Sequence, residues 1–329
     1  MIKIAFFDTK DYDKALFNEY NKKYKYDITY FESKLNSETA PLAKGFDIVC
    51  IFVNDTADKA TLDKLNEYGV KVLALRCAGF NNVDLAHTGN IRVVRVPQYS
   101  PFAVAEHATA LLLNINRKIY KSYQRVKKYN FDLDGLLGFD LHGKTVGVVG
   151  TGKIGKVFIQ IMKGFGTNII AYDVFKDEQF AKENNFEYVS FEELCKKSDI
   201  ISLHCPLTPE TEKIINKESL AKMKDGVIII NCSRGQLINT DALLDALSAG
   251  KIGGVGLDVY ENEGEFFLKD MSSSYKRDKN LSTLISMPNV IITSHQAFFT
   301  SEALNKIASD TCQNITDIIE TGNCINEVK

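Results

Sequence analysis

What the 329-residue chain lacks narrows its function before any motif does. No apolar run approaches the ~20 residues of a membrane span, and the opening MIKIAFFDTK meets acid and lysine too early for a signal peptide. Surplus charge is missing as well. Forty Lys and Arg against 42 Asp and Glu leave a formal charge of −2, so nothing electrostatic calls for nucleic acid or an anionic membrane as a partner. The basic residues of KIYKSYQRVKK read as the solvated end of a long helix. Paired cysteines are absent. The seven, at 50, 77, 195, 205, 232, 312 and 324, are odd in number and never spaced C-x-x-C. This excludes a disulfide framework or a thiolate zinc site and predicts reduced, mostly packing thiols in cytoplasm. There is no biased tract and no solenoid repeat.

What is present is a regular alternation. In the first hundred residues, short β-branched runs read KIAFFD, DITYF, DIVCIFV, KVLALRC and IRVVRV, with an amphipathic helix in DTADKATLDKLNEYG. Pro97 and Pro101 then punctuate the chain before SPFAVAEHATALLLNIN, a helix with no polar face. Its burial is expected between two domains or two subunits. A second series follows: KTVGVVG, NIIAYD, FEYVS, IISLHC, VIIINC, GVGLDV and NVIITS. The helix SEALNKIASDTCQNITDIIETG closes the chain and is placed back on the first unit. Strands alternating with helices predict α/β architecture with parallel sheets, and the length suits two domains. The irregular stretch ENEGEFFLKDMSSSYKRDKN has the length of a functional loop.

The densest signal is KTVGVVGTGKIGKVF followed by NIIAYD. Gly150, Gly152 and Gly155 form G-x-G-x-x-G between a buried strand and a helix. In this fingerprint the first glycine permits the tight turn, the second lets backbone approach a pyrophosphate, and the third lets the helix pack on the sheet. The segment Gly150, Thr151, Gly152, Lys153, Ile154 and Gly155 would then present helix N–H groups to phosphates. Asp173, at the end of the next strand, would accept hydrogen bonds from both ribose hydroxyls and repel a 2′-phosphate, which favours NAD over NADP.

Ligands of open α/β sheets bind beyond the carboxyl ends of the strands. There the second series places His204, Ser233 with Arg234, Asp258 with Glu261 and Glu263, and His295. Singly, each has an ordinary explanation: a snorkelled arginine, a solvated acid, a histidine satisfied by a backbone carbonyl. With a nicotinamide cofactor they form a coherent set.

The segments LRCAGFNNVD, YSPFAVAEHA, GTGKIG, SLHCPLTPET, NCSRGQLI, DVYENE and SHQAFFT resemble, in order and over essentially the whole chain, the D-isomer-specific 2-hydroxyacid dehydrogenases. Within that family they are most similar to the fermentative D-lactate dehydrogenases. The resemblance implies two doubly wound parallel-sheet domains, a Rossmann cofactor domain (101–297) inserted into a smaller flavodoxin-like substrate domain (1–100 and 298–329), with substrate in the cleft between them. It also implies a homo-oligomer, a dimer that in some relatives pairs into a tetramer.

Carried over residue by residue, the resemblance makes Arg234 the clamp on the substrate carboxylate and carbonyl, His295 the acid/base and Glu263 its partner. A guanidinium fork matches a 2-oxo acid in two directions. Imidazole titrates near ~6.5, close to working pH, and a neighbouring carboxylate fixes its tautomer and keeps a proton available. Backbone N–H groups of Ala78 and Gly79 would hold the carboxylate. Tyr99 and Phe298 would enclose the side chain and leave room for little more than a methyl. His204, Cys205, Pro206, Cys232 and Asp258 are assigned to the cofactor, Asp258 alternatively to orienting the catalytic side. His87, His107 and His142 receive no role, and no metal is expected. The expected activity is NADH-dependent reduction of pyruvate to D-lactate. Open alternatives are a larger 2-oxo acid, such as 2-oxoisocaproate or phenylpyruvate, and, from another class, an NAD-sensing corepressor.

Overall fold

The structure, a computed structural model, describes residues 1–328. Thirteen strands run along the described chain. The first five are β1 (Lys3–Phe6), β2 (Asp27–Tyr30), β3 (Ile48–Ile51), β4 (Val72–Leu75) and β5 (Arg92–Arg95). Then come β6 (Thr145–Val149), β7 (Asn168–Tyr172), β8 (Glu187–Tyr188), β9 (Ile200–Leu203), β10 (Val227–Asn231), β11 (Ile252–Leu257) and β12 (Val290–Ile292), and β13 (Glu327–Val328) is last. The chain divides into two compact units, Met1–Ser100 with Phe298–Lys329, and Pro101–Ala297. Both carry parallel-strand sheets, so the chain is α/β as expected.

In the first unit the sheet order is β13-β5-β4-β3-β1-β2, parallel except where β13 runs antiparallel to β5. The parallel part is the 2-1-3-4-5 order of flavodoxin-like sheets. β3 and β4 are buried at every residue, as parallel strands covered on both faces must be. The helix Asp11–Tyr24, which the sequence reading passed over, carries Asp11 and Asp13 in its first turn and Lys22 and Lys23 in its last, matching its dipole. The closing helix Ser301–Thr321 packs on β4, β5 and the Asp11–Tyr24 helix, so the chain's end does return to the first unit.

A charged cluster lies inside this unit. Arg76, just past β4, is 1% exposed. Its Nη2 donates to the Asp8 carbonyl at 2.8 Å and stands 3.5 Å from Asp13 Oδ2, while its guanidinium lies 4.4 Å from the Phe6 ring centre and 4.9 Å from that of Phe52. Burial pushes the Asp55 carboxyl up to about 6 and raises Asp13 as well, with Arg76 pulling both back.

In the second unit the order β12-β11-β10-β9-β6-β7-β8 has its topological reversal between β6 and β9. Side chains alternate between two cores as the pleat dictates: Ile228 and Ile230 of β10 face one, Val227 and Ile229 the other. The apolar helix Pro101–Arg117 is seated within its own unit, against β10 and β11. The physical reason is in β11. A Cβ at Gly254 would stand 2.3 Å from Ile115 Cγ2, and one at Gly256 3.0 Å from Ile115 Cδ1, so the two glycines let this helix settle directly on the strand. It also packs against the Lys153–Gly164 helix.

Replacing Arg76 by Met would take away the guanidinium that offsets the burial of the Asp13 and Asp55 carboxylates. The expected cost is about 3–5 kcal/mol, read as a fall in the urea midpoint of unfolding. An unchanged midpoint would show that the cluster does not stabilise the unit.

Candidate active site in the second unit

The fingerprint turn lies at the sheet's reversal point. Gly150 follows β6 with φ 94°, and a Cβ there would come within 2.5 Å of the Cys205 nitrogen. A Cβ at Gly155 would stand 2.0 Å from the Gly150 carbonyl oxygen. Both contacts are with backbone, so neither position accepts a side chain without moving the chain. Gly152 differs: nothing lies within 4 Å of where its Cβ would be, and no side chain caps the Lys153–Gly164 helix it precedes. An open face before an uncapped helix N-terminus fits a pyrophosphate.

Asp173 accepts from Thr151 N at 2.6 Å and Thr151 Oγ1 at 3.0 Å through one oxygen, and from Phe175 N at 2.9 Å through the other. Three of a carboxylate's roughly four acceptor sites are therefore in use. A ribose diol binding there would have to share or displace the Thr151 hydroxyl, a narrower fit than the sequence suggested. Just past β9, the His204 N–H donates to the Val149 carbonyl at 2.7 Å. Its ring turns inward, 4.9 Å from the Phe158 ring and 2.8 Å from Ser202 Oγ through Nε2. Burial lowers it to about 3, so His204 is neutral. What this segment offers a ligand is backbone and the exposed Pro206, not an imidazole. Burial pushes the Cys205 thiol up to about 11 and raises Cys232 well above the usual thiol range, so both stay protonated.

Arg234 follows β10 in a turn clamped by buried Asn231, whose Nδ2 donates to the Arg234 carbonyl at 2.8 Å and whose Oδ1 accepts from Ser233 N at 3.0 Å. The guanidinium spends one of its five donors on the Ser233 carbonyl. Gly235 packs on the next strand's extension, where a Cβ would lie 2.1 Å from the Tyr260 carbonyl carbon. From that extension, Tyr260 N donates to Glu263 Oε2 at 3.0 Å. The other oxygen, Glu263 Oε1, stands 2.6 Å from His295 Nδ1. Both side chains of this pair are 16% exposed. Glu263 thus meets His295 directly, and Arg234 stands at the carboxyl end of β10, next to β11 in the sheet.

His295 has φ 49°, a left-handed conformation that is uncommon off glycine. Asp258 holds it there. The Asp258 carbonyl accepts from His295 N at 2.8 Å, Oδ1 from Gln296 N at 2.9 Å and Thr293 Oγ1 at 2.5 Å, and Oδ2 from Ala297 N at 2.8 Å. Both oxygens of the Asp258 carboxylate are thus committed to the segment that carries His295. Burial raises its pKa, but hydrogen bonds from His107, Thr293, Ala297 and Gln296 outweigh that and hold it below the usual carboxylate range. His107, to which the sequence assigned no role, places its Nε2 3.0 Å from Thr293 Oγ1; its only signal was a polar residue within a largely apolar helix. Among the described residues no group of three or more His, Cys, Asp or Glu could hold a metal ion.

The remaining residues of interest belong to the first unit. Arg95 Nη1 donates to the Ala78 carbonyl at 2.7 Å, which points the trans-related Gly79 N–H the opposite way. The Tyr99 and Phe298 ring centres are 6.3 Å apart, and Phe52 is 5.6 Å from Phe298.

Comparison with known proteins shows the family. Residues 109–297 match the family model of the D-isomer specific 2-hydroxyacid dehydrogenase NAD-binding domain. The chain is 50% identical over 329 residues to a 2-hydroxyacid dehydrogenase homolog of Haemophilus influenzae, covering 99% of each. It is 45% identical to the D-lactate dehydrogenase of Escherichia coli over 99% of this chain and 100% of that one. The apo structure of the Escherichia coli enzyme superposes with a TM-score of 0.90 over 100% of both chains at 44% identity. A D-2-hydroxyisocaproate dehydrogenase superposes with a TM-score of 0.85 at 34% identity, covering 99% of each.

The Gly235 contact links the Arg234 turn to the strand extension carrying Glu263. Gly235→Ala should destabilise the protein by about 1–3 kcal/mol through overpacking, seen in thermal unfolding. A crystal structure of the variant should show the 260–263 backbone displaced and the 2.6 Å Glu263–His295 contact lengthened. Retention of both stability and that contact would refute the link.

Proposed function

Since the chain belongs to the D-isomer specific 2-hydroxyacid dehydrogenase family and its second unit is that family's NAD-binding domain, we propose that it reduces pyruvate to D-lactate with NADH, regenerating NAD in fermentation. The observation that carries this reading is the half-buried His295–Glu263 pair at the end of β12. Bound NADH supplies the hydride. Glu263, accepting at Nδ1, keeps the opposite nitrogen of His295 as the proton donor to the alkoxide oxygen. Arg234 aligns the carboxylate and carbonyl, each charge-assisted bond contributing roughly 1.5–3 kcal/mol. The Gly150–Gly155 turn and the helix behind it would hold the pyrophosphate, Asp173 the adenosine ribose, and the 204–206 backbone with Cys232 the neighbouring surface. Asp258 belongs to the catalytic side, as the anchor of His295.

In the first unit we assign the Ala78 and Gly79 amides to the substrate carboxylate, and Tyr99 and Phe298 to its methyl group. The cluster of Tyr99, Phe298 and Phe52 rings supports a small side chain over a branched one. The likeness to a D-2-hydroxyisocaproate dehydrogenase keeps a larger 2-oxo acid as the second reading. A homo-oligomer, a dimer or a pair of dimers, is supported by the exposed apolar side chains Ile119, Tyr123, Phe131, Leu133 and Leu137. A cytoplasmic location is supported by seven free cysteines, and no helix among the described residues is long and apolar enough to cross a membrane.

His295→Ala should lower kcat by roughly 10²–10⁴-fold while leaving the NADH dissociation constant near that of the wild type. Arg234→Lys keeps the charge but loses the fork, and should raise KM for pyruvate about tenfold or more. Wild-type rates in either variant would remove that residue from its role. Comparing kcat/KM for pyruvate, 2-oxoisocaproate and phenylpyruvate decides the substrate, and a preference for either larger acid would overturn pyruvate. NADH binding with no turnover of any of the three would point instead to a binding module.

A further inference from the structure

His107 lies outside the span matched by the family model, on the Pro101–Arg117 helix. Its neighbours on that helix, Val104, Ala105, Ala108 and Leu111, are buried hydrocarbon, and an apolar residue would serve packing at this position as well. The imidazole instead reaches two polar atoms, Thr293 Oγ1 at 3.0 Å and Asp258 Oδ1 at 3.4 Å, both through Nε2.

The direction of these bonds follows from what each group can do. An ionised carboxylate only accepts, and the hydrogen bonds around Asp258 keep it ionised. The Thr293 hydroxyl, 2.5 Å from Asp258 Oδ1, must therefore donate to it. That uses the hydroxyl's single hydrogen, so toward His107 the Thr293 oxygen can only accept, and Nε2 must carry the proton. The result is a directed chain from His107 Nε2–H to Thr293 Oγ1–H to Asp258 Oδ1. At its far end, the same aspartate receives the backbone amides of His295, Gln296 and Ala297.

His295 needs that support. A non-glycine residue at positive φ sits in a sparsely populated region that costs on the order of 1–3 kcal/mol and persists only where its surroundings over-determine it. Without the His107 donor, the buried Asp258 carboxylate would lose a partner on the oxygen that also holds Gln296, and Thr293 would lose the bond that orients its hydroxyl. The turn at His295 would then sample other conformations, and the imidazole would spend less time aligned with Glu263. The cofactor turn at the end of β6 lies across the sheet, with β9, β10 and β11 intervening before β12, and would be unaffected.

We propose that His107 is a positioning residue of the active site, donating through Thr293 to Asp258 so that the left-handed turn holds His295 in its reactive orientation. This rests on the reading of His295 as the proton donor and adds to it a residue that touches neither substrate nor cofactor.

The test compares His107→Phe, which keeps a ring but removes the donor, with His107→Gln, whose side-chain amide keeps an N–H near the same place. Thr293→Val cuts the chain one step further along. Each is assayed with NADH and whichever of pyruvate, 2-oxoisocaproate or phenylpyruvate the wild type turns over fastest, and each is titrated with NADH alone. His107→Phe and Thr293→Val should lower kcat about tenfold to a hundredfold, the scale of a small misplacement at the reacting group, with the NADH dissociation constant unchanged. His107→Gln should recover most of the rate. The double variant should be no slower than Thr293→Val alone, because the two substitutions break one chain. Wild-type kcat in His107→Phe or in Thr293→Val would overturn the proposal, as would a His107→Gln variant as slow as His107→Phe. If His107→Phe does not fold, Thr293→Val and His107→Gln still decide. His295→Ala, assayed alongside, separates the two levels: a fully active His295→Ala removes the underlying reading, whereas an inactive one beside a fully active Thr293→Val removes this inference alone.

Discussion

The arrangement depends on one buried carboxylate. Asp258 is 0% exposed, and ionised at that depth it would be costly if left unpaired. It is surrounded by donors: two backbone amides, a threonine hydroxyl and an imidazole within 3.4 Å. All of them come from the segment after β12 or from the helix lying on β11. The aspartate therefore ties the carboxyl ends of β11 and β12 together and fixes the three residues beginning at His295. The imidazole that meets Glu263 occupies a strained backbone position because its amide and the next two have nowhere better to go. Strain at a reactive residue and saturation of a buried charge are two sides of one contact set.

The cofactor side is built by a different means, exclusion of side chains. At Gly150 and Gly155 a single methyl would collide with backbone, and at Gly152 it would meet nothing at all. Close approach in the first two positions brings strand, turn and helix together, and the opening in the third is left where a phosphate fits. The glycines of β11 repeat the device for a structural end, admitting the Pro101–Arg117 helix and with it His107. Small residues thus set the distances in this unit, and the charged groups act at the spacing the glycines allow.

The two sheets were legible in the sequence because parallel strands covered on both faces are nearly continuous β-branched runs, and the G-x-G-x-x-G turn because each glycine has its own steric duty. Glu263 and His295 were legible only as polar residues at strand ends; their 2.6 Å contact depends on how the Tyr260–Glu263 turn folds back, which no spacing reveals. His107 was invisible for the complementary reason, since its partners lie 151 and 186 positions further on, at Asp258 and Thr293. Arg76 was overlooked because an arginine in LALRC reads as surface, whereas three acids distant in sequence draw it inside. The seat of the Pro101–Arg117 helix was not legible, because its apolar circumference shows in the sequence and the glycines of β11 beneath it do not announce their partner. Periodicity encodes burial; it does not encode which element does the burying.

Distance by itself would not single out the site. His87 and Asp84 approach to 2.8 Å, almost as close as His295 and Glu263, yet their side chains are 44% and 36% exposed. Such a pair is screened by water and salt, and its partners can part at little cost. His204 is the opposite case, driven neutral by desolvation of its ring, which is committed to Ser202 and Phe158. His295 combines a carboxylate partner at 2.6 Å with partial burial, a backbone held by Asp258 and a place at the carboxyl end of the sheet that also carries the glycine turn. A proton donor needs all four: a partner to set its tautomer, enough shelter to make that partner matter, a rigid mount, and access to where hydride arrives. Five of the seven thiols offer no competing chemistry, since burial raises those of Cys50, Cys195, Cys205, Cys232 and Cys312 alike and keeps them protonated. Of the five histidines, His295 is the one whose surroundings match the proton-donor role proposed for it.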